Sequence, residues 1–214
     1  MMTAAEQFDD FSVGDDELAE RARRGSGAAF AELVTRHREA VYAIARNMCT
    51  TFREAEIVLQ QAFLAAWREL RFFPAGARFT TWLYGIAMET ALAHRQGDRR
   101  RPPGSLEQFL PAFDRAGRLV ESKGRWPELD GRSSRRVEVT GLLRHALDCV
   151  DDRTRAVFVL SDLLQLPVDE AAAILRTSPL VVRRDAHRVR LMLRGFIDQL
   201  SGPAAATTTT LPKE

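Results

Sequence analysis

The chain has 214 residues, a formal net charge of +2, 45% hydrophobic and 28% charged residues. This composition predicts a soluble globular protein of one domain or two small ones. It excludes a spanning helix, since no apolar run nears the roughly 20 residues one needs, and two distant cysteines, Cys49 and Cys149, exclude a disulfide framework. The acidic opening "MMTAAEQFDDFSVGDD" has no apolar core of a signal peptide, so a cytoplasmic location without membrane insertion is expected.

Residues 1–14 show no helical period and are expected to form a disordered tail. Asp15 or Asp16 can N-cap a first helix, "ELAERARR", and the Gly-Ser-Gly at 25–27 ends it. In the next segment Phe30, Leu33, Val34, Val41, Ile44, Ala45 and Met48 recur at helical spacing. Thr50 and Thr51 offer an N-cap to "FREAEIVLQQAFLAAWREL". There Ile57, Leu59 or Gln60, Phe63, Leu64 and Trp67 repeat every three or four residues, and Phe63 and Trp67 are expected in the core. A loop with Pro74 and Gly76 leads into "RFTTWLYGIAMETALAHRQGDRRR". This helix opens with Phe79, Trp82 and Tyr84 and ends in arginines, and its core side is predicted at Leu83, Ile86, Ala87 and Ala91.

Residues 97–136 carry Gly, Pro, Ser and many arginines and are expected to be a basic, mostly irregular linker. Helical period returns at Val137, in "VEVTGLLRHALDCV", "DRTRAVFVLSDLL" and "PVDEAAAILR". Ser178 suits an N-cap and Pro179 a first helical residue for a last helix running to about Leu200. Residues 201–214 are low in complexity and expected to be a disordered tail. No segment reads as a strand. The expected fold is all-α, with two small helical domains, 15–96 and 137–200, joined by the flexible linker 97–136.

The two helices around "RTSP" have the layout of a helix-turn-helix. In the second, Val182, Ala186, Val189, Leu193 and Phe196 step by four and three and predict a buried stripe. Arg183, His187, Arg190 and Arg194 step similarly on another side, with Arg184 and Arg188 beside them. Such a basic face can enter a major groove, N-terminal residues nearest the bases. Asp185 among the arginines is expected to form a helix-surface ion pair with Arg184 or Arg188 rather than to read a cytosine amino group.

Three features converge: a helical bundle containing "EAEIVLQQAFLAAWREL", an aromatic-to-basic helix with "FTTWLYGIA", and, after a linker, a helix-turn-helix with an arginine-rich second helix. In this order they resemble the extracytoplasmic-function (ECF) group of sigma-70 family sigma factors, over about 15–96 and 137–200. The resemblance implies a sigma region 2-like bundle that binds the β′ clamp helices of core RNA polymerase and opens the −10 promoter element. It also implies a region 4-like domain that reads the −35 element near the β flap, and an anti-sigma factor as a partner. Carried over onto this chain, the polymerase-binding residues are Glu54, Glu56, Gln60 and Gln61. The −10 residues are Phe79, Trp82, Tyr84, Glu89, Arg95, Arg99 and Arg100, and the −35 residues are Ser178, Arg183, Arg184, His187, Arg188 and Arg190.

The chain departs from the family's pattern at Ile57 and Gln61, where acids are usual. It departs again at Gly85, Met88 and Glu89, where Arg, Arg and Asn are common. Helical spacing puts Gly85, Met88, Glu89 and Leu92 on one face, the side expected to look at promoter DNA. Aromatic stacking on unpaired bases contributes roughly 1–3 kcal/mol per base in single-strand binders. His145 and Cys149 lie four apart without a second pair, so no metal site is expected; His37 and His94 are isolated and expected at the surface or as caps. No nucleophile–base constellation, cofactor motif or P-loop is visible, so no enzyme is expected. Two other readings stay open on the sequence: a helix-turn-helix regulator that does not engage polymerase, and a sigma-like adaptor that titrates an anti-sigma factor.

Overall fold

The computed structural model describes residues 13–74, 76–97, 110, 143–144 and 146–201. Most of the two tails, most of the linker and most of the helix expected from Val137 lie outside these residues. Among the described residues there are helices and no strand: α1 (Asp15–Arg23), α2 (Gly27–Met48), α3 (Phe52–Glu69) with a 3-10 turn at Leu70–Phe72, and α4 (Phe79–Gly97). Then follow α5 (Asp152–Phe158), a π-helical turn at Val159–Leu163, α6 (Val168–Ile174) and α7 (Pro179–Ser201). Backbone contacts group the chain into two units: Met1–Arg99 with Val159–Pro179, and Arg100–Phe158 with Leu180–Glu214.

In the first unit α2 is the central helix and packs against α1, α3 and α4. Its N-terminus is fixed by Ser26, whose Oγ accepts from the Ala29 N–H at 3.2 Å. Gly25, at φ 102°, makes the preceding left-handed turn that only a glycine makes cheaply. Leu33, Val41, Ile44 and Met48 are fully buried on α2 and Leu83 on α4. Each such side chain stabilises by about 1.5–3 kcal/mol.

Helix α3 begins in a full capping box. Thr51 Oγ1 accepts from the Glu54 N–H at 3.2 Å, and the Glu54 carboxylate accepts from the Thr51 and Thr50 N–H groups at 3.0 Å. Its buried face is Ala55, Val58, Ala62 and Ala66. Three alanines let α3 lie close to α2 and α4, so the large apolar residues face outward. The expectation of Phe63 and Trp67 as core is corrected here: Phe63 is half-buried, and Trp67 is 44% exposed, its ring tilted against Phe30 with centroids 4.8 Å apart. Ile57 and Leu64 are exposed as well.

Neither Asp15 nor Asp16 caps α1. Gly14 holds that position without a side-chain bond, and both aspartates fall in the first turn, where the helix dipole favours negative charge. Their carboxylates reach other helices. Asp15 accepts from the Arg36 guanidinium at 3.1 Å and lies 2.8 Å from His37 Nε2. Asp16 Oδ1 accepts from the Phe79 N–H at 2.7 Å, and so caps α4 from 63 residues away. His37 is therefore buried rather than superficial, with Nδ1 3.4 Å from the Tyr84 hydroxyl.

Also in this unit, α6 ends on a left-handed residue, Arg176, at φ 49°. The Arg176 N–H reaches the Ala173 carbonyl at 3.2 Å and the Thr177 N–H reaches Ala172 at 2.9 Å. Glycine is the usual residue at such a helix end, because a Cβ there is crowded.

The second unit has its own core: Ala146, Leu147, Val150 and Phe158 against Val189, Met192, Leu193 and Phe196. Asp151 caps α5, its carboxylate accepting from the Thr154 N–H at 2.9 Å and hydroxyl at 2.6 Å. Arg155 is 1% exposed and donates to Asp148 at 2.7 Å and to the Leu147 carbonyl at 3.4 Å. A buried guanidinium is tolerable only with such partners.

Candidate nucleic-acid interface

Helix α7 has one buried side and one basic side, as its spacing predicts. Val182, Ala186, Val189, Leu193 and Phe196 are all buried. Arg183, Arg184, His187, Arg188 and Arg190 are exposed, as is Ser178 just before the helix. Asp185 does pair with Arg184, at 2.9 Å, yet it is itself 8% exposed and also lies 3.5 Å from the Arg153 guanidinium. Held against α5 in this way, it is not available to a base. Leu180, the second residue of the helix, is 75% exposed.

Helix α4 is buried on more sides, and most of its distinctive residues take part in holding the bundle. Phe79 is fully buried, with Phe73 at 6.0 Å, Trp82 at 5.7 Å and His37 at 5.7 Å between ring centroids. Tyr84 is 9% exposed beside His37, and burial, then the charges of Asp15 and Glu170, pushes its phenol pKa up. These two rings are core, so the expected stacking face shrinks to Trp82, which is half-buried on Phe73 and Phe79. Met88 is 1% exposed and belongs to the core rather than to the face expected to carry Gly85 and Glu89. Arg95 donates to the Met48 carbonyl at 2.9 Å, the last residue of α2, where a cation complements the helix C-terminus. Arg99 and Arg100 lie outside the described residues.

The remaining outer face of α4 meets α6. Glu89 Oε1 pairs with Arg176 at 2.5 Å, and Arg78, immediately before α4, pairs with Glu170. Trp82, Gly85 and Glu89 line a cleft with Asp169, Ala173 and Arg176.

Two family models match the chain: Sigma-70 region 2 over residues 33–101, and Sigma-70 region 4 over residues 140–193. The ECF RNA polymerase sigma-E factor of Escherichia coli strain K12 is 30% identical over 178 residues, covering 82% of this chain and 90% of that one. The chain belongs to the extracytoplasmic-function sigma factors. It is a promoter-specific initiation factor that works with core RNA polymerase. Its structure resembles that of CnrH in complex with the cytosolic domain of CnrY, with TM-score 0.64, 26% identity, and coverage of 86% of this chain and 97% of that one. It shares its fold with the sigma factor RpoE solved with the anti-sigma factor NepR from Bartonella quintana, with TM-score 0.57, 18% identity, and coverage of 78% and 96%.

In this sigma factor Glu56, Gln60 and Gln61 are exposed on α3, whereas the Glu54 carboxylate closes the capping box. The Thr51 N–H is the main cause that holds the Glu54 pKa below its ordinary value. Around the glutamines lie exposed Ile57, Leu64 and Trp67, an apolar face that sequence reasoning assigned in part to the core. The signal was present: alanine or valine at 55, 58, 62 and 66 steps by three, four and four. No local signal marks Asp16 as the cap of α4, or Arg176 as the partner of Glu89.

Proposed function

We propose that the sigma factor works as two modules, 15–96 and 137–200, around the linker 97–136. The exposed basic side of α7 reads the −35 element, with Arg183, Arg184, His187, Arg188 and Arg190 on base edges and phosphates and Ser178 at the helix entrance. The outer face of α4, with Trp82 and Glu89, meets the −10 element, and Arg99 and Arg100 beyond it neutralise phosphates. The exposed face of α3, with Glu56, Gln60 and Gln61 around Ile57, Leu64 and Trp67, engages the polymerase clamp. An anti-sigma protein controls the chain, as the pairing of the related CnrH with a partner's cytosolic domain suggests.

One observation carries this reading: α7 buries one stripe and presents arginines on the opposite side of an exposed second helix. A helix of that kind fits a major groove. The test is run-off transcription from genomic fragments with core polymerase and the purified chain. Discrete start sites that vanish when Arg183, Arg184 and Arg188 are all replaced by Ala support the reading. Start sites that persist unchanged in that triple variant would mean α7 does not read the promoter. No transcription with stable core binding would turn the reading toward an adaptor.

A further inference from the structure

Resting on the reading of α7 as the −35 helix, we propose that Leu180 is a specificity-determining residue that selects a thymine in that element, its side chain packing against the thymine C5 methyl group. Leu180 is 75% exposed, the most exposed large apolar side chain among the described residues. It is the second residue of α7. Leu180, Arg183, Arg184 and His187 step by three, one and three, so they share one side of the helix. All four are exposed, and the buried stripe from Val182 to Phe196 runs along the opposite side. The leucine therefore stands at the leading end of the basic face instead of joining the core.

The needs of the helix do not explain a leucine there. An acid in the first turn would favour the helix dipole, yet the first turn of α7 holds none. A leucine left in water gains nothing from the hydrophobic effect. It gains when DNA covers it. The arginines beside it donate to guanine O6 and N7 or to phosphates. A leucine neither donates nor accepts, so it discriminates bases only by apolar contact. Among the base-edge groups of the major groove, the thymine C5 methyl is the apolar one. A protein groove fits less well, because the neighbours of Leu180 on this face are cations suited to a polyanion. Three or four residues rise ~4.5–6 Å along a helix, and one base-pair step is ~3.4 Å. The selected thymine therefore lies within about two base pairs of the positions that Arg183 and Arg184 contact.

The experiment uses core RNA polymerase carrying the full chain, which selects sites from a randomised pool of DNA duplexes. The element whose selection is lost when Arg183, Arg184 and Arg188 are all replaced by Ala is the −35 element. Each thymine in it is then replaced singly by deoxyuridine, which pairs identically and lacks only the methyl group. For the parent, uracil at one position should weaken binding about threefold or more, the worth of one buried methyl group. Leu180→Ala should lose a similar factor on the thymine duplex and nothing further on the uracil duplex, the coupling expected of two groups in contact. Its urea midpoint should stay unchanged, because an exposed side chain holds no core together. An element without thymine, or a parent indifferent to every uracil, overturns the proposal while the −35 reading stands. Uracil and Leu180→Ala effects that simply add also overturn it, since another residue then feels the methyl and Leu180 serves a different contact. A pool that yields no element dependent on the three arginines defeats the −35 reading, and this proposal with it.

Discussion

Helices α4 and α7 are both amphipathic, basic at one end or side, and tied by family resemblance to promoter DNA, yet they relate to their sequences differently. On α7 every arginine singled out by spacing is at the surface, because the helix packs along one stripe only. On α4 the same kind of inspection selects residues that the bundle already uses. Phe79 and Tyr84 fill the core, and Arg95 holds the end of α2. A motif on a helix packed on one side stays wholly at the surface. A motif on a helix packed on several sides reports fold first, and leaves only a strip, here Trp82, Gly85 and Glu89, for the promoter contacts proposed above.

The sharpest way to break that comparison is Phe79→Ala. A fully buried phenylalanine should cost about 3–5 kcal/mol of stability, measured by urea denaturation of the full chain. A variant that keeps its stability and loses only promoter opening would put Phe79 back among the base-contacting residues. On α7 the opposite pattern is expected. Arg183→Ala and Arg188→Ala should leave the urea midpoint unchanged. Each should weaken promoter affinity by ~1–3 kcal/mol if it contacts a base edge, or lower the salt slope by about 0.9 if it contacts a phosphate. Affinity measured against salt separates the two.

A smaller effect tests α3. Glu54→Ala opens the capping box and should cost about 1 kcal/mol. The Glu54 pKa is lowered in the folded chain, chiefly by the Thr51 N–H. Its stabilisation is therefore complete above the ordinary carboxylate pKa and is lost as pH falls through the lowered one. Acid unfolding curves of parent and variant should accordingly be separated at neutral pH and converge at the acid end. A constant offset down to full protonation would mean the carboxylate charge is not what the cap uses.

Much of the architecture was legible before any coordinates. The helical segments, the capping threonine at 51, the start of α7 at Pro179 and its buried stripe follow from local chemistry, and local chemistry is what a sequence displays. The α3 face was misjudged because large apolar residues outweighed alanines. Close helix packing rewards the small side chain and leaves Trp67 at the surface. His37 looked isolated because its partners, Asp15 and Tyr84, are distant in the chain. The α4–α6 ion pairs were invisible for the same reason: Glu89 and Arg176 are brought together only by the fold.

The bond from the Phe79 N–H to Asp16 has a consequence for the order in which the protein is made. The group that starts α4 leaves the ribosome 63 residues ahead of the helix it caps. At roughly 5–20 residues per second, α1 waits about 3–13 s for its client. During that interval this nine-residue helix, below the ~12–15 residues at which an isolated helix holds in water, has only α2 and the turn at Leu70–Phe72 to pack on. Nascent chains stalled before Phe79 should therefore expose α1 to protease, and chains stalled after α4 has emerged should protect it.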